Sequence, residues 1–397
     1  MIADYRRKFN DEFTPKKYED FLKSLSTNLP SVSFRVAETP LFIPADLVKK
    51  LIQAGEEIIE FIKRPDFKAL TQGAIPAFWN VPGENDHPHF LTFDYAICKD
   101  ATGELEPKLI ELQGFPSLYG FQSHLAEHYQ KAYALEQLGD LTPYFGGLDK
   151  TAYFELLKKV VIGANDPQEV VLLDLDAPNQ KTAIDFYITQ KELGFKILSP
   201  EDLITEGKQL FYLEDGKKKR IKRVYNRLIF DEVNDPEAFV KQGFDPREEM
   251  DVEWITHPNW FYRLSKYTMP FLKGDFIPET HFLHEVEVLP QDLENYVLKP
   301  LFSFAGQGVI IDVKAEDITR VKDPENWILQ RKVTYEPVVQ ALDGGVKAEI
   351  RMMYLWADGE EPVLCINLAR MSRGKMIGVR YNKDFDWVGG TVGLMEK

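Results

Sequence analysis

Between Val297 and Ile311 the chain reads Val-Leu-Lys-Pro-Leu-Phe-Ser-Phe-Ala-Gly-Gln-Gly-Val-Ile-Ile. This is an apolar strand ending in Lys299-Pro300, a short loop with Gly306 and Gly308, and a second apolar strand. A lysine at a strand end sets an ammonium against phosphate oxygens. Glycines in the following loop let backbone N–H groups approach the same oxygens with no Cβ in the way. The lysine precedes the glycines, so the segment is not the G-x-x-x-x-G-K-[ST] P-loop. The competing reading is a hairpin with a surface lysine.

Other residues suited to the same chemistry stand on either side. Lys266 lies in Arg263-Leu264-Ser265-Lys266-Tyr267-Thr268-Met269-Pro270, inside a helix expected near 259–273. Trp327-Ile328-Leu329-Gln330-Arg331-Lys332 runs as an apolar strand into a polar turn. Arg351 and Arg370 follow, in Glu349-Ile350-Arg351 and Asn367-Leu368-Ala369-Arg370. Upstream, Phe93-Asp94-Tyr95 and Leu109-Ile110-Glu111-Leu112-Gln113 flank the turn 99–104. A hairpin there sets Asp94 and Glu111 on adjacent strands, with Glu111 and Gln113 on one face. Oxygen ligands on one sheet face are what Mg²⁺ bound to phosphates needs. The late strand Val363-Leu364-Cys365-Ile366-Asn367-Leu368 offers no carboxylate for that purpose.

The elements that must position these groups fall into four stretches. Residues 1–65 are expected to be helical: Thr14-Pro15 opens one amphipathic pattern, and Pro44-Ala45-Asp46 opens another that runs through Leu47, Leu51, Ile58 and Ile62. Residues 66–160 carry the Asp94 and Glu111 strands and a helix at about 121–138. Residues 161–240 hold a β-α-β signal: Val170–Leu175 as strand, 181–193 as helix stopped by Gly194, and Phe195–Leu198 as strand. This is typical of a small Rossmann-like sheet, which Val224–Phe230 would extend. No G-x-G-x-x-G follows its first strand, which excludes a dinucleotide fingerprint there. Residues 241–397 carry the lysines, the glycine loop and the arginines.

Composition narrows the function classes. The chain has 397 residues, enough for two or three domains, with 44% hydrophobic and 28% charged residues. A net charge of −15 argues against general nucleic-acid or anionic-membrane binding. The run Gly216-Lys217-Lys218-Lys219-Arg220 reads as a solvated hairpin turn beside Glu214 and Asp215. Two cysteines, Cys98 and Cys365, both in apolar runs, fit a reducing compartment. No signal peptide and no membrane span is expected, which points to the cytoplasm.

The order of these features resembles the circularly permuted ATP-grasp ligases of the glutathionylspermidine synthase type, over roughly residues 90–397. The resemblance implies an α/β (α+β) ATP-grasp fold with a Rossmann-like domain ahead of the grasp, and ATP and Mg²⁺ as cofactors. It places Lys266 and Lys299 on the α/β-phosphates, with Ser303, Ala305, Gly306, Gln307 and Gly308 closing over them. Gln330, Arg331 and Lys332 become the adenine hinge, and Asp94, Glu111 and Gln113 the metal site. Arg351 and Arg370 face the transferring phosphoryl group, and Asn382, Gly389 and Gly390 the acceptor. The implied reaction joins a small carboxylate, peptide-like or amino-acid-like, to an amine or thiol through an acyl-phosphate. A homodimer is compatible with it. Three positions depart from the family pattern: Gln113 for Asn, Thr92 where Arg precedes the metal Asp, and Arg331 where the hinge has Glu.

Those departures favour a second reading, a nucleotide-binding protein of the same fold without ligase activity. A third, remote one comes from His124-Leu125-Ala126-Glu127-His128, which matches the H-x-x-E-H of inverted zinc peptidases; a partly exposed helix is the favoured account, since a zinc site would need a further, distant carboxylate. His87-Pro88-His89 reads as a loop, and Asp174-Leu175-Asp176 as a strand terminus.

Overall fold

The computed structural model describes all residues except 231–232, 234, 241–243, 303–305, 375–376, 378–381 and 383, and the side chain of 238. Its centre is an antiparallel sheet in the order Gly389–Thr391, Val363–Ser372, Gly344–Leu355, Phe90–Lys99, Leu105–Gln113, with Val339–Ala341 pairing the start of the long third strand. The two strands expected to carry Asp94 and Glu111 thus share a sheet with the late strands, with Gly344–Leu355 between them.

Period-two alternation gives this sheet two different faces. Leu91, Phe93, Tyr95, Ile350, Met352 and Tyr354 belong to the largest core, together with the apolar stripe of helix Ala45–Ile62. On the opposite face, one end is apolar. There Phe90, Met353, Leu355, Ile366 and Leu368 pack with helix Lys150–Val161 and with Val170, Leu172 and Tyr225 of a second sheet. The other end of that face carries Asp94, Glu349, Arg351 and Arg370, and it becomes the candidate site.

Helix Ala45–Ile62 holds a glycine for a packing reason. A Cβ on Gly55 would stand 1.9 Å from the hydroxyl of Tyr354, which is buried and has no hydrogen-bond partner among the described residues. Alanine inside a helix ordinarily gains about 1 kcal/mol over glycine. Gly55→Ala is expected instead to lose roughly 1–3 kcal/mol by overpacking. Adding Tyr354→Phe, which deletes only the offending hydroxyl, should recover most of that loss in chemical denaturation.

The second sheet is parallel, in the order Glu253–Ile255, Arg223–Asn226, Val170–Leu173, Lys196–Leu198. Helix Ala183–Leu193 makes the crossover and ends at Gly194 in the left-handed conformation. This is the expected β-α-β unit, with both strands shorter than the apolar runs suggested. The basic run forms the hairpin Gln209–Glu214 and Lys217–Ile221, turned at Asp215-Gly216.

A third, antiparallel sheet holds the lysine strand: Thr280–Phe282, Trp327–Arg331, Tyr296–Pro300, Ile310–Ile311. Leu298, Tyr296 and Leu329 pack on its outer side. Lys299 and Gln330 are also buried, but their side chains turn to the central sheet. The N-terminal stretch is tied to the chain's end: Leu41–Phe42 pairs parallel with Gly393–Glu396, and Val36 bridges Gly390. No helix among the described residues is long and apolar enough to cross a membrane.

One element differs from expectation in a way that matters. The helix expected over 259–273 is two pieces, Pro258–Arg263 and a 3-10 turn Lys266–Phe271. Pro270 has no N–H to extend a regular helix. The Ser265 hydroxyl accepts from Tyr267 N at 3.2 Å and starts the new turn. Lys266 therefore leaves the first position of that turn and is buried.

Candidate active site

The site is built where the charged end of the central sheet meets the lysine strand and the turn that begins at Lys266. Two hydrogen bonds bring the last two to strand Leu105–Gln113 and its end: Gly114 N donates to Leu264 O at 3.1 Å, and the Lys299 ammonium donates to Ile110 O at 3.0 Å. Gly114 has to be a glycine for this approach, since a Cβ there would lie 2.7 Å from Trp260 O.

Strand register sets the charges. Asp94 pairs with Arg351 on one side and with Glu111 on the other. Arg351 lies flat on the Asp94 carboxylate, Nε to Oδ1 at 2.5 Å and Nη2 to Oδ2 at 2.6 Å, a bidentate fork. Arg370 also reaches Oδ2 of Asp94, and its Nη2 lies 2.6 Å from Oε1 of Glu349. Tyr335 donates to the other Glu349 oxygen at 3.0 Å. Burial would raise the Asp94 carboxyl; Arg351 and Arg370 outweigh it and hold Asp94 below the usual carboxylate range. Burial dominates at Glu349, against Arg370, and lifts it above that range.

The lysines are less well neutralised. The Lys266 ammonium is 3.9 Å from Glu111 Oε2. Lys299 donates to Ile110 O and, at 2.5 Å, to Oε1 of Gln330, both neutral acceptors. Burial pushes Lys299 down to about 8, with Glu111 opposing and Lys266 reinforcing. Burial also lowers Lys266, against Glu111. Beside them is a cavity of about 40 Å³ lined by Glu111, Gln113, Phe115, Phe261, Lys266 and Phe302. That volume admits water or part of a phosphate group, so a whole nucleotide has to open it.

Of the residues chosen from sequence, Asp94, Glu111, Gln113, Lys266, Lys299, Gln330, Arg351 and Arg370 form one connected network. Gln330 joins it through its side chain, which bonds Lys299 and, at 3.1 Å, Thr280. Arg331 and Lys332 point away, to Asp292 at 2.8 Å and Asp312 at 2.6 Å. Their backbone N–H groups are taken by Glu279 O and Asn295 O. Gly306 and Gly308 sit in a turn with φ of 71° and 74°, and Gln307 between them is exposed. Ser303 and Ala305 lie outside the described residues. Asn382 accepts from Ser372 Oγ, Arg373 N and Gly374 N, closing the end of strand Val363–Ser372. Gly390 pairs with Arg370 in register, while Gly389 lets Arg35 O approach to where a Cβ would stand 2.5 Å away.

Sequence reasoning missed Glu349 and Tyr335. Glu349 precedes Arg351 by two positions on one strand, so alternation alone puts it on the same face; Tyr335 has no such local signal.

Magnesium accompanies the resemblance, and the donor set can be tested for it. Both Asp94 oxygens are engaged by guanidinium groups, and Glu111 Oε1 accepts from Gln113 Nε2 at 3.1 Å. Among the described residues no group of three or more His, Cys, Asp and Glu is arranged for a metal ion. This arrangement does not fit a magnesium ion. The H-x-x-E-H residues do not converge either. His124 Nε2 is 3.0 Å from Leu25 O, His128 Nδ1 is 2.7 Å from Ser24 Oγ, and Glu127 pairs with Lys131 and Lys150. They pin helix Tyr119–Tyr133 to the end of helix Pro15–Leu25.

No family model and no curated protein sequence matches the chain. Among solved structures it is similar to a glutathione synthetase like-effector from Globodera pallida in its apo form, with 11% sequence identity and a TM-score of 0.61, over 96% of each chain. At that identity the likeness bears on the fold: the chain has a mixed α/β fold similar to a glutathione synthetase-like structure.

Proposed function

We propose that this chain binds ATP in a circularly permuted ATP-grasp arrangement, with the phosphates at Lys266, Lys299 and Arg370. One observation carries the reading. Four cationic side chains from four separate stretches meet at one buried face, and Lys299 among them is held by two neutral acceptors, Ile110 O and Gln330 Oε1. Buried cations so placed are stabilised by a polyanion. Under this reading residues 66–160 and 241–397 form the grasp, 161–240 the Rossmann-like domain ahead of it, and 1–65 an N-terminal helical segment.

The reaction such a site serves is ligation of a small carboxylate to an amine or thiol. The γ-phosphoryl group passes to the carboxylate, giving an acyl-phosphate and ADP; the nucleophile then displaces inorganic phosphate and loses a proton. Lysines and arginines offset the charge on the transferring group, and Phe115, Phe261 and Phe302 exclude water. The substrates are small molecules, with no part for nucleic acid or membrane. A second reading, nucleotide binding without turnover, is favoured by the Asp94 clamp, which closes the carboxylate pair to a metal.

Calorimetric titration with ATP should show saturable binding. ADP release is then followed against panels of amino acids, small peptides and polyamines. Acceptor-dependent ADP supports the ligase; binding without ADP for any acceptor supports the second reading. Absence of ATP binding rejects both.

A further inference from the structure

We propose that Arg351 and Arg370 take the place of a divalent metal at this site, so that the nucleotide phosphates bind to guanidinium directly and without magnesium. The inference rests on the nucleotide reading above and specifies its cofactor requirement.

The position is the first argument. Asp94 and Glu111 pair across adjacent strands, and Glu111 lies 3.9 Å from the Lys266 ammonium, which is where a metal bridging protein to phosphate would be held. In this chain the positive charge there is built in. Arg351 comes from the neighbouring strand, in register with Asp94, and covers both carboxylate oxygens. Arg370 comes from the next strand and bridges Asp94 to Glu349. A dication placed on Asp94 would have to displace the Arg351 fork and the Arg370 contact. It would also stand against two cations in a partly desolvated site, where like-charge repulsion is weakly screened.

The second argument is an open donor. Nε of Arg370 is buried and has no hydrogen-bond partner among the described residues. A buried N–H without an acceptor is costly, and an anionic oxygen is the partner that best relieves it. The Arg370 side chain as a whole keeps 30% exposure.

The third argument is charge. Around the site stand Lys266, Lys299, Arg351 and Arg370 against Asp94, Glu111 and Glu349. A polyanion lowers the repulsion among the four cations; a dication arriving first raises it.

The test uses the full chain and ATP, titrated by calorimetry once in excess EDTA and once in millimolar magnesium. The expected result is dissociation constants within about twofold of each other. Binding that appears only with magnesium, or tightens tenfold or more with it, overturns this inference and leaves the nucleotide reading standing. No binding in either condition overturns both. Arg370→Gln, checked for native circular dichroism, should weaken binding in EDTA roughly tenfold or more, and Arg370→Lys should retain part of it. Unchanged affinity of Arg370→Gln in EDTA also overturns the inference.

Discussion

Arg351→Leu should lower the unfolding free energy by about 3–5 kcal/mol, the cost of leaving a buried charge without its partner. Asp94 is 1% exposed, and Arg351 supplies two of its hydrogen bonds. Arg370 alone cannot neutralise Asp94, because it is shared with Glu349. Combining Asp94→Asn with Arg351→Leu should cost clearly less than the sum of the single changes, since residues in one ion-pair network are not additive. The pH dependence has a definite sign. The folded Asp94 carboxyl lies below its unfolded value, so its contribution is present above about pH 4 and is lost as pH falls through the folded value. Urea unfolding at neutral and acid pH should therefore show a variant penalty that shrinks toward acid. A penalty under about 1 kcal/mol at neutral pH would contradict the clamp.

Lys299→Met should weaken ATP binding by roughly tenfold to a hundredfold, the equivalent of about 1.5–3 kcal/mol for a charge-assisted contact. Lys299 also gives stability a pH dependence, in an alkaline window. Lys299 titrates at about 8 when folded because burial disfavours its charge. Below that value it is charged in both states and the burial penalty is fully present. Between about 8 and the unfolded value near 10.4 the native state sheds the proton first, so wild-type stability rises across that window. The methionine variant should lack this rise. ATP should return the proton to Lys299, so wild-type affinity should fall above pH 8, by at most about tenfold per unit. Calorimetry in buffers of different ionisation enthalpy should show net proton uptake near pH 8.5. Unchanged ATP affinity in Lys299→Met would remove the lysine from the phosphate site.

Much of the local structure was legible because its causes are local. Short apolar runs bounded by turn residues marked the strands that carry Asp94, Glu111 and Lys299. Thr14-Pro15 marked a helix start that the structure shows capped, with the Thr14 hydroxyl accepting from Lys17 N. The β-α-β unit at 170–198 and the basic hairpin were legible for the same reason, since each is a short apolar pattern punctuated by glycine. The order of the chemical groups along the chain also pointed to one site for Asp94, Glu111, the lysines and the arginines, and these side chains do meet.

Which charge faces which was decided only by the tertiary structure. The Asp94–Arg351 fork joins positions 257 residues apart in the chain. It depends on strand Gly344–Leu355 lying next to Phe90–Lys99, a pairing that no local pattern encodes. The same holds for Gln330, whose side chain serves Lys299, and for Arg331 and Lys332, which a local view groups with it although alternation turns Arg331 to Asp292 and the strand ends before Lys332, which reaches Asp312. Residue types and spacing determined that acids and bases would be available on one face. The register of long-range strand pairing determined that the acid expected to hold a metal is instead held by two arginines, because in a buried site a carboxylate goes to whichever cation the neighbouring strand places against it.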